Sequence, residues 1–531
     1  MTELFHALAQ RLGVAPALVD DAGITTWIDL DDRANRIIAG LRSLGMDDGD
    51  TVAVMVGNRR EFFEIFAAVC HASWVGVPVN WHWVGAELAH VVANSGAKAV
   101  IVDAAYLDVA RDARSLGGVG SDVRWLALGA PGGGSYDDPE GGGPVPDDFE
   151  SFEELLARSS PAEPDGQGTG GPMFYTSGTT GFPKGVRSSL STTGLPPSMW
   201  TLIAGSLVGR LGLPADGVTL LDGPAYHSAQ WVFAMFPLLG GSTLVMRHKF
   251  DPAATLAAID AHGVTNVHLV PTQFVRLLKL DPDMRDTFSG ASLVAVHHGA
   301  APCPVEVKEQ MLAWWGDVVC EYYGGTEGGF LTLIDGADWR ARPGSLGRPT
   351  DLVELRILGD DGHEAPPGTP GQIYFRSRIG SDFSYHDDPD KTAAAHLDGW
   401  GTLGDIGSFD EDGYLYLTDR RIDMIISGGV NIYPAEIEAA LVAHRAVADA
   451  AVFGIPDDEM GEQVKAVVEL IDGVDGDGME DELIAHCRSR LAGYKTPRSV
   501  DIVEHLPRQP TGKLYKRLLR DPYWTDAGRS I

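Results

Sequence analysis

Cysteine is scarce in this 531-residue sequence: Cys70, Cys303, Cys320 and Cys487 stand far apart, with no CxxC pair and no dense spacing. That excludes a disulfide-stapled secreted scaffold, and the four read as small buried residues of a reducing compartment. Basic residues are also in deficit. Lys and Arg number 41 against 74 Asp and Glu, a formal charge of -33 that repels polyanions and removes nucleic acid from the expected partners. No long hydrophobic run is clean enough to cross a membrane, since Glu64 and His71 interrupt 62–79 and Pro237, Gly240 and Gly241 break 229–246. Met1 to Ala15 lacks the basic start, apolar stretch and small-residue cleavage site of a secretory signal, so a cytoplasmic protein is expected.

What is present is a globular pattern. Hydrophobic residues make up 44% and charged residues 22%, and the length exceeds what one core organises, so a large multilobed body or more than one domain is expected. Leu30, Ala34, Ile37, Ile38 and Leu41 share a helical face, and Thr51 to Val56 reads as a buried strand. Helical 60–72, extended 74–79, helical 87–95 and extended 99–103 continue the alternation, which resumes over 254–322. This βαβ rhythm predicts an α/β fold with mostly parallel sheets. Segments 130–148 and 163–172, crowded with Gly, Pro and Asp, read as surface connections. After Asp419 a smaller α+β unit is expected, with helices at 436–444 and 479–491 and strands at 448–453 and 463–470. The boundary is placed near residue 421, giving units 1–421 and 422–531.

One loop carries the first chemistry. Thr176, Ser177, Gly178, Thr179, Thr180, Gly181, Phe182, Pro183, Lys184 and Gly185 follow a short apolar run. Glycines let backbone N–H groups approach an oxyanion, hydroxyls add donors and the lysine adds a charge, so the segment reads as a phosphate cradle. It is not a Walker loop, because Pro183 stands where the second glycine belongs and Gly185, not Ser or Thr, follows the lysine. Nor is it the GxGxxG of a dinucleotide fold.

The loop resembles the phosphate-binding signature of the adenylate-forming superfamily, which includes acyl-CoA synthetases, luciferases and adenylation domains. Further segments in the right order extend the likeness from about residue 25 to 520. Tyr322, Tyr323, Gly324, Gly325, Thr326 and Glu327 resemble the Tyr-Gly-x-Thr-Glu motif, which implies an aromatic on adenine, Thr326 at phosphate and Glu327 as ligand of Mg2+. Gly404 and Asp405 are similar to the motif whose Asp holds both ribose hydroxyls, with Leu403 where the family usually has Thr, and Arg420 is similar to the arginine at the nucleotide. The segment around Gly428 and Gly429 resembles the loop that lines the pantetheine tunnel, and Pro510, Thr511, Gly512 and Lys513 the motif whose lysine serves adenylation alone. Tyr226 and His227 resemble the pair near the acyl carboxylate, and the same likeness implies that His297 and His298, with Gly299 and Ala300 after them, fall near the nucleotide and acyl pocket.

The resemblance implies an enzyme that uses ATP to activate a carboxylic acid and passes the acyl group to coenzyme A. Lys513, Thr176, Thr326, Glu327 and His227 would then be its catalytic residues. Transfer to a carrier-protein phosphopantetheine, luciferase-like oxygenation and an inactive nucleotide-binding regulator are the alternatives, and homo-oligomer formation stays open. The stretch 228–234 offers no carboxylate to pair a substrate ammonium, and its apolar character favours a neutral hydrophobic acid, fatty, aryl or steroid-like.

Overall fold

The computed structural model describes residues 4–129, 145–176, 182–359, 361–420, 423–427, 430–457, 460–508 and 514–524, with backbone alone for Asp419, Arg420 and Asn431. Two parallel sheets form the larger part. In the first, Thr51–Met55 lies between Ala97–Asp103 and Val75–Pro78, with Arg124–Leu128 and Glu150–Ser151 beyond the former and Gly171–Pro172 beyond the latter. All five residues of Thr51–Met55 are buried, which is why the strand reads as a continuous apolar run. Val52 and Val54 point to one core, Ala53 and Met55 to another.

The second sheet sets Val319–Gly325, Ala295–His298, Asn266–Leu269, Val218–Leu221, Thr243–Met246 and Pro16–Asp20 side by side and parallel. Antiparallel strands close both edges. The Arg60–His71 and Ser228–Gly240 helices share a core with residues of both sheets, among them Val54 and Leu244. Apolar surface on nearly every side of a helix means burial on every side, so each of the two most hydrophobic runs is an interior helix that leads into a strand of a parallel sheet, Val75–Pro78 and Thr243–Met246. No described helix is long and apolar enough to cross a membrane.

A third sheet departs from the expected parallel order. Val353–Leu358, Gly371–Ser377, Asp405–Phe409 and Leu415–Arg420 pair antiparallel, with short strands at His396–Leu397 and Trp400–Gly401. The cause is local. Asp410 to Gly413 closes a tight turn, with Gly413 at φ +80° and Asp410 N donating to Tyr414 O at 3.0 Å, and so short a connection can only return the chain antiparallel.

The last strand of that sheet ends at Arg420, and Ile425–Ser427 enters a different, five-stranded sheet. There Val447–Asp457 and Gly461–Leu470 form a long hairpin, and Ser499–Val503 runs parallel to the latter. Pro434–Val442 and Met479–Arg488 cover it with Ile437, Leu441, Leu483 and Cys487 buried against the strands. The second helix stops three residues short of the expected Leu491, which nevertheless packs on the same core.

Candidate active site

Thr176 and Lys184 are antiparallel partners, Phe174–Thr176 against Lys184–Arg187. Ser177, Gly178, Thr179, Thr180 and Gly181 connect them and lie outside the described residues. Ser384–Tyr385 joins as a third strand, placing Tyr385 opposite Val186. That register brings the Tyr385 hydroxyl to Glu327, where it donates to Oε1 at 3.0 Å. Beyond it Asp388 caps the Pro389–Ala394 helix by accepting from Lys391 N at 3.1 Å, and also accepts from Lys184 Nζ at 2.9 Å. Lys391 Nζ lies 4.2 Å over the Tyr385 ring, and burial, followed by the charge of Lys184, holds its pKa below the ordinary lysine value. The motifs single out Lys184 and Glu327 as candidates. They did not foretell Tyr385, Asp388 or Lys391, for which the only sequence signal is Asp388-Pro389, a helix-start pair.

At Asp405, the residue expected to hold ribose, the Tyr323 hydroxyl donates to Oδ2 at 2.8 Å, and both residues are buried. Asp405 pairs across the antiparallel sheet with Arg420, whose side chain is outside the description. Thr326 Oγ1 sits 2.8 Å from Ser228 Oγ, at the first turn of the Ser228–Gly240 helix. Gly324 is obligatory: a Cβ there would lie 1.8 Å from the Gly329 carbonyl oxygen, where the strand pairing shifts register. Leu403 packs over Gly325, its Cδ1 3.2 Å from where a Cβ would stand. The neighbouring hydroxyl, Thr402, donates instead to Ile373 O at 2.7 Å and serves the sheet.

Tyr322 and Tyr323, the two aromatics of the motif, point in opposite directions. Successive strand residues face opposite ways, so while Tyr323 meets Asp405, Tyr322 turns toward Phe233 and Phe330, with ring centroids 5.5 and 5.0 Å away. Gly299 makes room, since a Cβ there would stand 2.7 Å from the Tyr322 ring, and Ala300 follows in the left-handed region at φ +65°. The phenol oxygen lies 3.0 Å from His268 Nε2, and His268 Nδ1 lies 2.9 Å from Gln230 Nε2. Gln230 Nε2 also donates to His268 O at 3.4 Å, which marks it as the amide nitrogen. His268 therefore accepts at Nδ1, carries its proton on Nε2 and donates it to Tyr322.

His227 caps the Ser228–Gly240 helix, its Nδ1 accepting from Ala229 N at 3.4 Å. A narrow cleft beside it is lined by Gly223, Pro224, Gln230, His268, Val270 and Gln273. His297, the register partner of His268, rests against Phe233 with ring centroids 5.0 Å apart. Burial pushes its pKa down to about 4. His298 lies on the opposite face of the sheet, 3.6 Å from Glu321, which the fully buried Lys308 holds at 2.7 Å. Among the described residues no group of three or more His, Cys, Asp or Glu could hold a metal ion. Gly428, Gly429 and Lys513 fall outside the described residues, although Arg508 and Leu514 pair across the segment containing Lys513.

The arrangement offers three regions: a lysine-bearing hairpin beside a carboxylate, an aromatic and aspartate pair, and a cleft behind a histidine. Comparison with known proteins gives it a context. The chain matches the AMP-binding enzyme family over residues 5–380 and the AMP-binding enzyme C-terminal domain over 436–513. It is 34% identical to feruloyl-CoA synthase of an Amycolatopsis species, over 93% of each chain. It is 32% identical to the long-chain-fatty-acid–CoA ligase FadD13 of Mycobacterium tuberculosis, over 98% of this chain and 99% of that one. Among solved structures, o-succinylbenzoate CoA synthetase of Bacillus subtilis, in complex with its acyl-adenylate intermediate, superposes with a TM-score of 0.80 at 26% identity, covering 98% of both chains.

Proposed function

The chain belongs to the AMP-binding enzyme family and is an acid–thiol ligase, and from that premise we propose that it couples a hydrophobic carboxylic acid, fatty, aryl or steroid-like, to coenzyme A through an acyl-adenylate. AMP and pyrophosphate leave. The observation that carries this reading is the register that sets Thr176 against Lys184 with Tyr385 beside them, its hydroxyl reaching Glu327.

Glu327 is the residue to hold Mg2+: a carboxylate is the hard oxygen donor that this ion takes, and Tyr385 fixes its direction. When bound, the ion would neutralise charge on the polyphosphate oxygens. Thr176, Lys184 and the hydroxyls between them donate to the phosphates, while Tyr323 and Asp405 receive adenine and ribose, with Arg420 nearby. Thr326 reaches the phosphate from the turn that follows Val319–Gly325. His227, at the cleft, orients the substrate carboxylate toward the α-phosphorus for in-line attack. Lys513, brought in by the 422–531 unit, bridges that carboxylate and the phosphate as charge shifts between them. Rotation of that unit about the chain near residue 421 then withdraws Lys513 and brings in Gly428 and Gly429, so the thiol can enter.

Separating the half-reactions tests this. Lys513→Ala should lower acid-dependent pyrophosphate release by roughly a hundredfold or more while sparing thioester formation from supplied acyl-adenylate. Equal loss of both would refute the division of labour. Thioester formation with carrier protein but not with free coenzyme A would replace the acceptor and leave the adenylation chemistry standing.

A further inference from the structure

The helix that covers the acyl side reads as apolar, but the sheet beneath it is not. His268, His297 and Tyr322 come from three neighbouring strands and meet the same residue, Phe233, with ring centroids 4.7, 5.0 and 5.5 Å from it. All three are buried. A hydrocarbon site has no use for such a lining, because each polar group there forgoes water.

The hydrogen-bond accounting sharpens the point. Gln230 donates to His268, and His268 donates to the Tyr322 oxygen. The phenol therefore enters the chain as an acceptor, and its own hydrogen has no acceptor among the described residues. His297 is more exposed chemically though not sterically: it is 1% accessible, and neither Nδ1 nor Nε2 has a hydrogen-bond partner among the described residues. A neutral imidazole always carries one donor and one acceptor. Two donors and an acceptor thus stand unused on one buried sheet face, and buried polar groups that stay unpaired ask for an occupant.

We propose that the acid activated here carries an oxygen function, a hydroxyl or a ketone, on its apolar body, and that His297 and Tyr322 recognise it as specificity-determining residues. The inference rests on the acid-ligase reading and narrows it. A ketone oxygen accepts from the Tyr322 hydroxyl or the His297 N–H, while a hydroxyl can accept from one and donate to the unprotonated His297 nitrogen. An acid without oxygen in its body leaves these groups dry and unpaired, and discrimination of this kind is steeper than discrimination by size.

The test uses two matched pairs: 3-phenylpropanoic against 3-(4-hydroxyphenyl)propanoic acid, and octanoic against 7-oxooctanoic acid. Each is scored by kcat/KM for coenzyme-A-dependent AMP formation with the full chain. The oxygenated member should be preferred by about tenfold or more in at least one pair. His297→Leu and Tyr322→Phe should each pull that ratio toward one, while His297→Gln, which keeps a donor and an acceptor, should retain more of it than His297→Leu. The ratio within one preparation is blind to how much of a variant folds. Parity within both pairs would overturn the inference and leave the ligase reading intact, as would a preference that survives both deletions. Absence of AMP formation with all four acids would instead strike the ligase reading, and the inference with it.

Discussion

Tyr385→Phe isolates one bond. The substitution keeps the ring, and with it the contact to the Lys391 ammonium 4.2 Å above, and removes only the hydroxyl that donates to Glu327 Oε1 at 3.0 Å. A hydrogen bond to an ionised acceptor contributes about 1.5–3 kcal/mol, and the half-buried setting of Glu327 brings the value to the lower end. Roughly 1.5 kcal/mol corresponds to about a tenfold change. If Glu327 holds the ion, that cost falls on metal use: the free Mg2+ concentration giving half-maximal pyrophosphate release should rise about tenfold, in line with the loss seen when the support of a metal ligand is removed. Maximal rate at saturating Mg2+ should recover most of its wild-type value, and the melting temperature should move by no more than a few degrees. The assay is pyrophosphate release titrated with Mg2+ at fixed ATP and saturating acid. Superimposable titrations for the variant and the parent would refute the argument that Tyr385 positions the metal-binding carboxylate.

Further outcomes concern the buried charges around the site. Asp222 is fully buried, accepts from Thr255 Oγ1, and burial raises its pKa to about 7. With the folded value above the ordinary carboxylate value near 4, the folded state holds its proton longer than the unfolded chain, so stability declines between about pH 4 and 7 and levels off above. Asp222→Asn should therefore gain on the parent by about 1.4 kcal/mol per pH unit across that window, read from melting curves at pH 5, 6 and 7; a difference independent of pH would contradict it. Lys308→Met should cost about 3–5 kcal/mol by stranding Glu321, whereas Lys308→Met with Glu321→Gln should recover much of the loss. Equal melting temperatures for the single and double variants would show that the pair is not what stabilises this layer.

How much of this was legible beforehand depended on what each feature asks of the chain. Elements buried on one face announce themselves: Leu30, Ala34, Ile37, Ile38 and Leu41 predict a helix, and it runs Trp27–Ser43 with Thr26 as its cap. Strands buried on both faces are equally plain, as at Thr51–Met55. Lys184 is singled out by the glycine- and hydroxyl-rich loop that precedes it, whereas Glu327 is named only through the likeness of its segment to the family motif. Tyr385 could not be named, since it reaches Glu327 across 58 residues through a strand pairing that no local pattern encodes. The opposed directions of Tyr322 and Tyr323 are hidden for a different reason. Two adjacent tyrosines look alike in sequence, and only the pleat of the strand sends one to Asp405 and the other to His268. Likewise the apolar stretch 228–234 describes only the helix side of the proposed acyl region, while His268 and His297, which meet Phe233, come from strands 34 and more residues downstream.

The bond from Tyr323 to Asp405 ties the end of a parallel strand to the antiparallel sheet. Its consequence is thermodynamic. The carboxylate that would greet a ribose is already aimed, so a nucleoside arriving there need not spend affinity on freezing a loose side chain. Adenosine recognition would then be governed by what the sugar adds to an arranged acceptor, and calorimetry on Tyr323→Phe should find the difference in entropy before it finds it in the number of contacts.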